Sequence, residues 1–389
     1  MTSQARAARR ALTALAVTVA AGGALAIPAT GVAGVAAVQD DVLTTAPLAD
    51  IPARLQAVSA TRAKVTRIDI LWSLVAPTPP ANPIDPNDPA YDWSRLDAIF
   101  TGLAAAGITP IVSTYSTPDW AVQGRNIPHP TTLYNPNAPV PAHYGRFMRA
   151  VATRYSGSFR PAGSATRLPR VRHFEIGNEP NLKAFFSYNG RSSVARYKLL
   201  VRAAYPQIKR ANRRAIVIAG VGGPRSSTGN GNIGAKPWML ALVRDRRVKF
   251  DAYSQHIYPS RGPRFTSRAY RRAFPTWSSL PEIYRTLDRK RRGMKLYVTE
   301  AGYTTASTQF RTVRVSLGKQ RAYLRQLFAL PTVRSPRLAA VVWFNLEDNA
   351  NWPGGLLREG GRPKPSYAAF RAIARRPVPR PLRRELSVR

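Results

Sequence analysis

Two glutamates stand where acid–base chemistry would be done. The chain has only seven Glu, at positions 175, 179, 282, 300, 347, 359 and 385. One lies in His173-Phe174-Glu175-Ile176-Gly177-Asn178-Glu179-Pro180-Asn181, the other in Leu296-Tyr297-Val298-Thr299-Glu300-Ala301-Gly302-Tyr303. Each segment is a short apolar run that reads as a strand, and Pro180 stops the first, leaving Asn178 and Glu179 at its C-terminal rim. Two carboxylates on one mouth can divide into a protonated acid and an ionised nucleophile if their surroundings separate their pKa values. That division is what cleavage of a glycosidic bond requires, with retention of configuration at a separation of about 5–5.5 Å. The competing reading is a pair of strand-end salt bridges in an arginine-rich chain.

Other chemistries lack their residues. With no Cys there is no thiol nucleophile, disulfide scaffold or thiolate metal site. Four His (His129, His143, His173, His256) do not supply a multi-histidine centre. Asp85, Asn87 and Asp88 resemble part of a calcium loop but lack its downstream Glu. No Gly-x-Ser-x-Gly elbow is present. Neither a metal nor a cofactor is expected.

The elements that must position the pair follow from periodicity. Strand-like runs recur at Val35–Val38, Val65–Leu71, Thr109–Thr114, Val171–Ile176, Ile216–Ala219, Ala252–Gln255, Leu296–Thr299 and Ala340–Phe344. Helical patterns lie between them: Trp93, Leu96, Phe100, Leu103; Tyr144, Phe147, Met148, Val151, Tyr155; Val194, Tyr197, Val201, Tyr205, Ile208. Further helices are expected at Ile51–Ala60, Pro237–Arg244, Leu280–Leu287, Gln320–Leu330 and Pro365–Ile373. Eight strands, each followed by a helix, is the count of a single-domain (β/α)8 TIM barrel spanning residues 31–374. A doubly wound open sheet is the alternative, without its Gly-x-Gly-x-x-Gly turn. The long polar links Trp72–Asp92, Tyr115–Pro141 and Val221–Lys236 all follow strands, which is the face where barrels bind substrate.

On these motifs the chain resembles clan A glycoside hydrolases, in particular actinobacterial secreted members of the family 5 and family 39 type, from about Val35 to Ile373. The resemblance implies that Glu179 of Asn-Glu-Pro is the acid/base, that Asn178 binds the sugar 2-hydroxyl and that Glu300 is the nucleophile. It further implies that Tyr258 of His256-Ile257-Tyr258 hydrogen-bonds the nucleophile, that Trp343 is the sugar platform and that Arg67 keeps the nucleophile ionised. Apart from the family context, His256 is as readily a packed polar residue as a substrate contact. Trp72, Tyr115, Trp120, Trp343 and Trp352 are candidates for stacking on sugar faces, Tyr115 and Trp120 after Trp343, although strand-end aromatics are also packing residues. Glu175, four residues before Glu179 in the same strand, reads as a deeper buried ion pair, with a strand Arg as partner.

The ends and the charge complete the reading. Arg6, Arg9 and Arg10 precede an apolar run from Ala11 to Ile27, the order of a secretory signal over residues 1–30. The chain is therefore expected outside the cell or at its envelope, with no membrane span after cleavage. The formal charge is +39, from 59 Lys+Arg against 20 Asp+Glu; loss of those three arginines gives about +36 (39 minus 3). No nucleic-acid module accompanies that charge, so no nucleic-acid partner is expected. Residues 375–389 form a basic Pro/Arg-rich tail that offers a contact for an anionic cell envelope. The loop after the sixth strand carries Arg261, Arg264, Arg268, Arg271 and Arg272 without an acid, which suggests an acidic carbohydrate substrate. A barrel that binds glycans at the envelope without turning them over is the alternative from a different functional class.

Overall fold

The structure, a computed structural model, describes residues 34–124, 134–187, 193–272 and 274–386. The expected secretory signal, His129 and the side chains of Arg271 and Arg272 lie outside the described residues.

Apolar strands of four to seven residues cannot shield both faces alone, and here each lies between a central core and an outer ring of helices. The strands are β1 (Val35–Gln39), β2 (Val65–Leu71), β3 (Thr109–Tyr115), β4 (His173–Ile176), β5 (Ile216–Gly222), β6 (Ala252–Gln255), β7 (Lys295–Ala301) and β8 (Leu338–Phe344). They pair in parallel and in sequence order, and β1 closes on β8 from Val35↔Ala340 to Gln39↔Phe344. The fold is a (β/α)8 TIM barrel.

The helices are α1 (Ile51–Ala60), α2 (Trp72–Val75), α3 (Ser94–Ala105), α4 (Pro141–Arg154), α5 (Ser193–Ala211) and α6 (Ala235–Arg244). They continue with α7 (Arg268–Arg272), α8 (Leu280–Lys290), α9 (Leu317–Leu327), α10 (Pro365–Ala374) and α11 (Arg380–Leu386). The longer ones bury one stripe: α3 turns Leu96, Ile99, Phe100 and Leu103 inward, and α5 turns Tyr197, Leu200, Val201, Ala204 and Ile208 inward. None of the described helices is long and apolar enough to cross a membrane.

The barrel interior has two storeys. The lower one is apolar, with Val35, Ala37, Val65, Ile111, Ile218, Ala252, Ala340 and Val342 in one buried cluster. The upper one is polar: Gln39, Arg67, Asp69, Ser113, Glu175, Ser254 and Thr299 are buried at the inward positions. This second storey sits at the C-terminal strand ends, directly beneath the mouth.

Three helices lie outside the periodicity read from sequence: α2 and α7 are about one turn each, and α11 follows the domain boundary placed at Arg375. The segment beyond Arg375 is not a free tail up to Leu386. Val378, Leu382 and Leu386 join the lower-storey cluster, so α11 closes the barrel floor. Tyr297 donates to Glu385 Oε1 at 2.9 Å, and Arg172 donates to the Arg384 carbonyl at 3.1 Å.

Candidate active site

Arg67 organises the polar storey. It is fully buried within β2, and its guanidinium donates hydrogen bonds to five partners. Nε donates to Glu175 Oε2 at 2.8 Å; Nη1 donates to Gln39 Oε1 and Glu300 Oε1, each at 2.9 Å. Nη2 donates to Ser113 Oγ at 2.8 Å and to Asn178 Oδ1 at 2.9 Å. Asp69 Oδ1 lies 3.3 Å from Nη1, so three carboxylates share one cation. Burial works against the Arg67 charge, and Asp69, Glu175 and Glu300 more than offset it, holding its pKa above the ordinary arginine value.

Glu179 is presented by a turn after β4. Gly177 takes φ +77 and Glu179 itself φ +42, a left-handed conformation that costs a non-glycine residue about 1 kcal/mol or more. Gly223 makes room for its carboxyl: a Cβ there would stand 3.0 Å from Glu179 Cδ and 2.6 Å from Leu182 Cδ1. His256 Nδ1 lies 2.7 Å from Glu179 Oε1 and 3.4 Å from Glu300 Oε2.

Glu300 reaches the mouth through an irregularity of β7. The β7–β8 register shifts between Val298 and Ala301. Strict alternation would turn Glu300 outward with Leu296 and Val298; the extra residue re-aims it. Tyr258 donates to Glu300 Oε2 at 2.7 Å. One donor atom from each of Glu179, His256 and Glu300 lies within 4.8 Å of the others. Arg67 Nη1 already lies 2.9 Å from Glu300 Oε1, so a cation bound there would meet a like charge and the arrangement opposes metal binding.

The electrostatics differ in one respect from the sequence expectation. Burial pushes the Glu300 carboxyl above the ordinary carboxylate range, with the Glu179 charge adding to it, although His256, Arg67 and the Tyr258 hydroxyl pull the other way. Arg67 does not prevail because the cost of burying the charge is the larger effect. Burial by itself would discharge His256, but the Glu300 and Glu179 charges outweigh it and raise its pKa. Burial also raises Tyr258, as does the Glu300 charge.

The structure thus brings Arg67, Asn178, Glu179, His256, Tyr258 and Glu300 together. Tyr115 is buried beside them, donating to Asp69 Oδ2 at 3.0 Å and stacking on Tyr134. Trp120 is placed elsewhere: it packs edge-on against Trp72 and donates to the Ala76 carbonyl. Trp343 is also misplaced for a sugar platform. It points outward into the helical layer, is fully buried and donates to the Gly354 carbonyl at 3.0 Å. Its neighbour Phe344 has the inward parity and partial exposure that stacking needs, and Trp352 lies 5.6 Å from it and 4.6 Å from Tyr258. Of the basic loop, Arg261 stacks on Phe265 and Arg264 lines grooves whose walls contain none of these site residues.

Sequence reasoning missed Gln39, Asp69, Ser113, Gly223, Phe344 and Arg311. Asp69 was findable, two residues after Arg67 and on the same strand face. Arg311 carried no signal: it comes from the loop after β7, donates to the Tyr258 and Pro259 carbonyls, and lies 5.9 Å from the Tyr258 and Trp352 rings.

No family model matches the sequence, and no curated protein matches it. Solved structures do share the fold. A family 39 glycoside hydrolase from Bacteroides cellulosilyticus is 19% identical with a TM-score of 0.59, over 87% of this chain and 63% of that one. A GH39 β-xylosidase from Caulobacter crescentus is 16% identical with a TM-score of 0.60, over 87% of this chain and 70% of that one. A GH5_18 variant from Streptomyces cattleya, in complex with Manβ1-4GlcNAc, is 14% identical with a TM-score of 0.61, over 89% and 82%. This chain thus spans just under two thirds of the first of these proteins. At such identities the likeness is one of fold, the barrel.

Proposed function

We propose that the chain is a retaining glycoside hydrolase that cleaves O-glycosidic bonds of a poly- or oligosaccharide. The observation that carries this is the pair Glu179 and Glu300 on one rim, with carboxylate oxygens within 4.8 Å, the first hydrogen-bonded to His256 and the second to Arg67 and Tyr258. Glu300 attacks the anomeric carbon while Glu179 gives its proton to the leaving oxygen; Glu179 then takes a proton from the water that releases the glycosyl-enzyme ester. Arg67 and Tyr258 donate to the attacking carboxylate, and His256 holds the acid/base. Asn178 has its Oδ1 engaged by Arg67, which keeps its amide hydrogens for a sugar hydroxyl. Phe344 and Trp352 supply an apolar wall for the sugar ring. The β-xylosidase, mannosidase and glucosidase activities named for the fold relatives support a glycan substrate.

Hydrolysis of aryl-glycoside and oligosaccharide panels by the wild type, Glu179→Ala and Glu300→Ala tests the reading. Loss of turnover in both variants is expected. Equal activity in all three sinks the assignment, and tight oligosaccharide binding without turnover by the wild type replaces it with a glycan-binding barrel. A mechanism-based fluoro-sugar should esterify Glu300; a label on another residue refutes the nucleophile. Export rests on the order of residues 1–30, and N-terminal sequencing of secreted material tests it.

A further inference from the structure

A groove of about 800 Å³ runs between α9 and α10, apart from the catalytic residues. Exposed alanines, Ala368 and Ala372 among them, form its floor, and Arg264, Arg321, Arg325 and Arg376 form its rim. No acid lies between Ala301 and Leu346, the stretch that supplies α9, nor between Gly360 and Arg384, the stretch that supplies α10. Arg321 and Arg325 stand one turn apart on α9, about 6 Å along its axis. Arg264 also borders a second cavity of about 500 Å³, beside Arg285 and the exposed ring of Phe265. The acid of that cavity, Glu282, is engaged with Lys236 at 2.6 Å.

The two cavities form a track of spaced guanidiniums over an apolar floor, with an aromatic ring at one end. Arginine forks take carboxylates in bidentate pairs. Sugar rings present C–H faces that bury against alanine and stack on an aromatic, which a bare polyphosphate chain does not offer. A bilayer surface would not enter a concave groove. The catalytic mouth is richer in carboxylates, with Asp69 and Glu175 beside the two catalytic glutamates and with Arg67, Arg311 and His256 as its cationic groups. A carboxylate sugar is therefore repelled at the mouth and attracted to the groove.

We propose that this track is a second polysaccharide-binding surface, which holds a linear carboxylate-bearing polysaccharide away from the catalytic centre. The choice of a polysaccharide rests on the glycosidase reading; the cationic track does not.

Binding of sodium polygalacturonate to the full chain carrying Glu300→Gln tests it, because that substitution suppresses turnover. The Arg321→Glu/Arg325→Glu variant should bind at least about tenfold more weakly, with an unchanged thermal melt. The same pair of substitutions in the otherwise wild-type chain should leave turnover of a small aryl glycoside unchanged. Phe265→Ala should weaken polygalacturonate binding severalfold. Unchanged affinity in the charge-reversed variant overturns the proposal, as does failure of the parent to bind. Tighter binding of polyphosphate or phosphatidylglycerol vesicles than of polygalacturonate overturns it in favour of those ligands. Aryl-glycoside turnover by the wild type reads the catalytic assignment separately, so either can fail alone.

Discussion

The Arg67 guanidinium donates to Glu300 at 2.9 Å through Nη1 and to Glu175 at 2.8 Å through Nε. A single buried cation thus ties Glu300 at the mouth to a deeper carboxylate with no exposure. Removing it leaves buried negative charges uncompensated, which costs far more than the net worth of the pair. Arg67→Met should destabilise the fold by about 3–5 kcal/mol and lower kcat/KM by about 100-fold or more. Adding Glu175→Gln should recover part of the stability and little of the activity. Denaturant unfolding and steady-state kinetics of the single and double variants check both statements.

Tyr258 donates to Glu300 Oε2, and that bond favours the ionised carboxylate. The acid limb of kcat/KM should lie above the ordinary carboxylate range, because burial raises Glu300. Tyr258→Phe removes a donor that lowers that pKa, so the acid limb should move to still higher pH. The rate at the optimum should fall roughly 10- to 100-fold. A pH–rate profile in which the limb stays in place would assign Tyr258 to packing.

Stability should also depend on pH through the same cluster. Glu300 and His256 both have folded pKa values above their ordinary values of 4.5 and 6.5. Each therefore binds its proton more tightly in the folded chain. Their contribution is fully present below the ordinary values and is lost as pH rises, from about 4.5 for Glu300 and about 6.5 for His256, through the folded values. The melting temperature should fall across this window, and Glu300→Gln/His256→Gln should flatten the fall. Thermal melts of the two proteins from pH 4 to pH 9 decide it.

Glu179 and Glu300 were legible because parallel barrels tie strand ends to chemistry, and Glu179 followed a run stopped by Pro180. Asn178, Tyr258 and Arg67 entered through the resemblance to a known family. What escaped notice depended on strand parity and on tertiary contacts. Period-2 alternation over β8 puts Phe344, not Trp343, on the inner face, and the resemblance to a tryptophan platform obscured it. A β-bulge is invisible in sequence, yet it turns Glu300 inward. The segment after Arg375 read as a basic tail for an anionic envelope because its arginines dominate the composition; Val378, Leu382 and Leu386 carry the contact that seats it.

Phe344 and Trp343 should separate cleanly by kinetics and stability. Phe344→Ala and Trp352→Ala should raise KM severalfold, with melting temperatures near wild type, since both rings are partly exposed. Trp343→Phe should leave KM unchanged and cost about 1–3 kcal/mol, because it vacates core volume and leaves the Gly354 carbonyl only the longer bond from Gln320 at 3.3 Å. A raised KM in Trp343→Phe with normal stability would reverse the two roles.

The floor of the barrel supplies the last test. Leu382 and Leu386 on α11 are 1% and 0% exposed beneath β7 and β8, and Tyr297 reaches Glu385 from the barrel interior. Replacing a buried leucine by alanine costs about 2–5 kcal/mol, and a carboxylate at that position adds a desolvation penalty. Leu386→Ala should therefore lower the melting temperature, and Leu382→Asp should lower it further and expose the apolar lower storey to a hydrophobic dye. Glu385→Gln keeps a side-chain carbonyl as acceptor for the Tyr297 hydroxyl and removes a half-buried charge, so it should be nearly neutral. Kinetic constants of folded Leu386→Ala should match wild type below its melting transition, because the polar storey separates α11 from Glu179 and Glu300. Unaltered melting in both leucine variants would show that α11 is not part of the barrel's core.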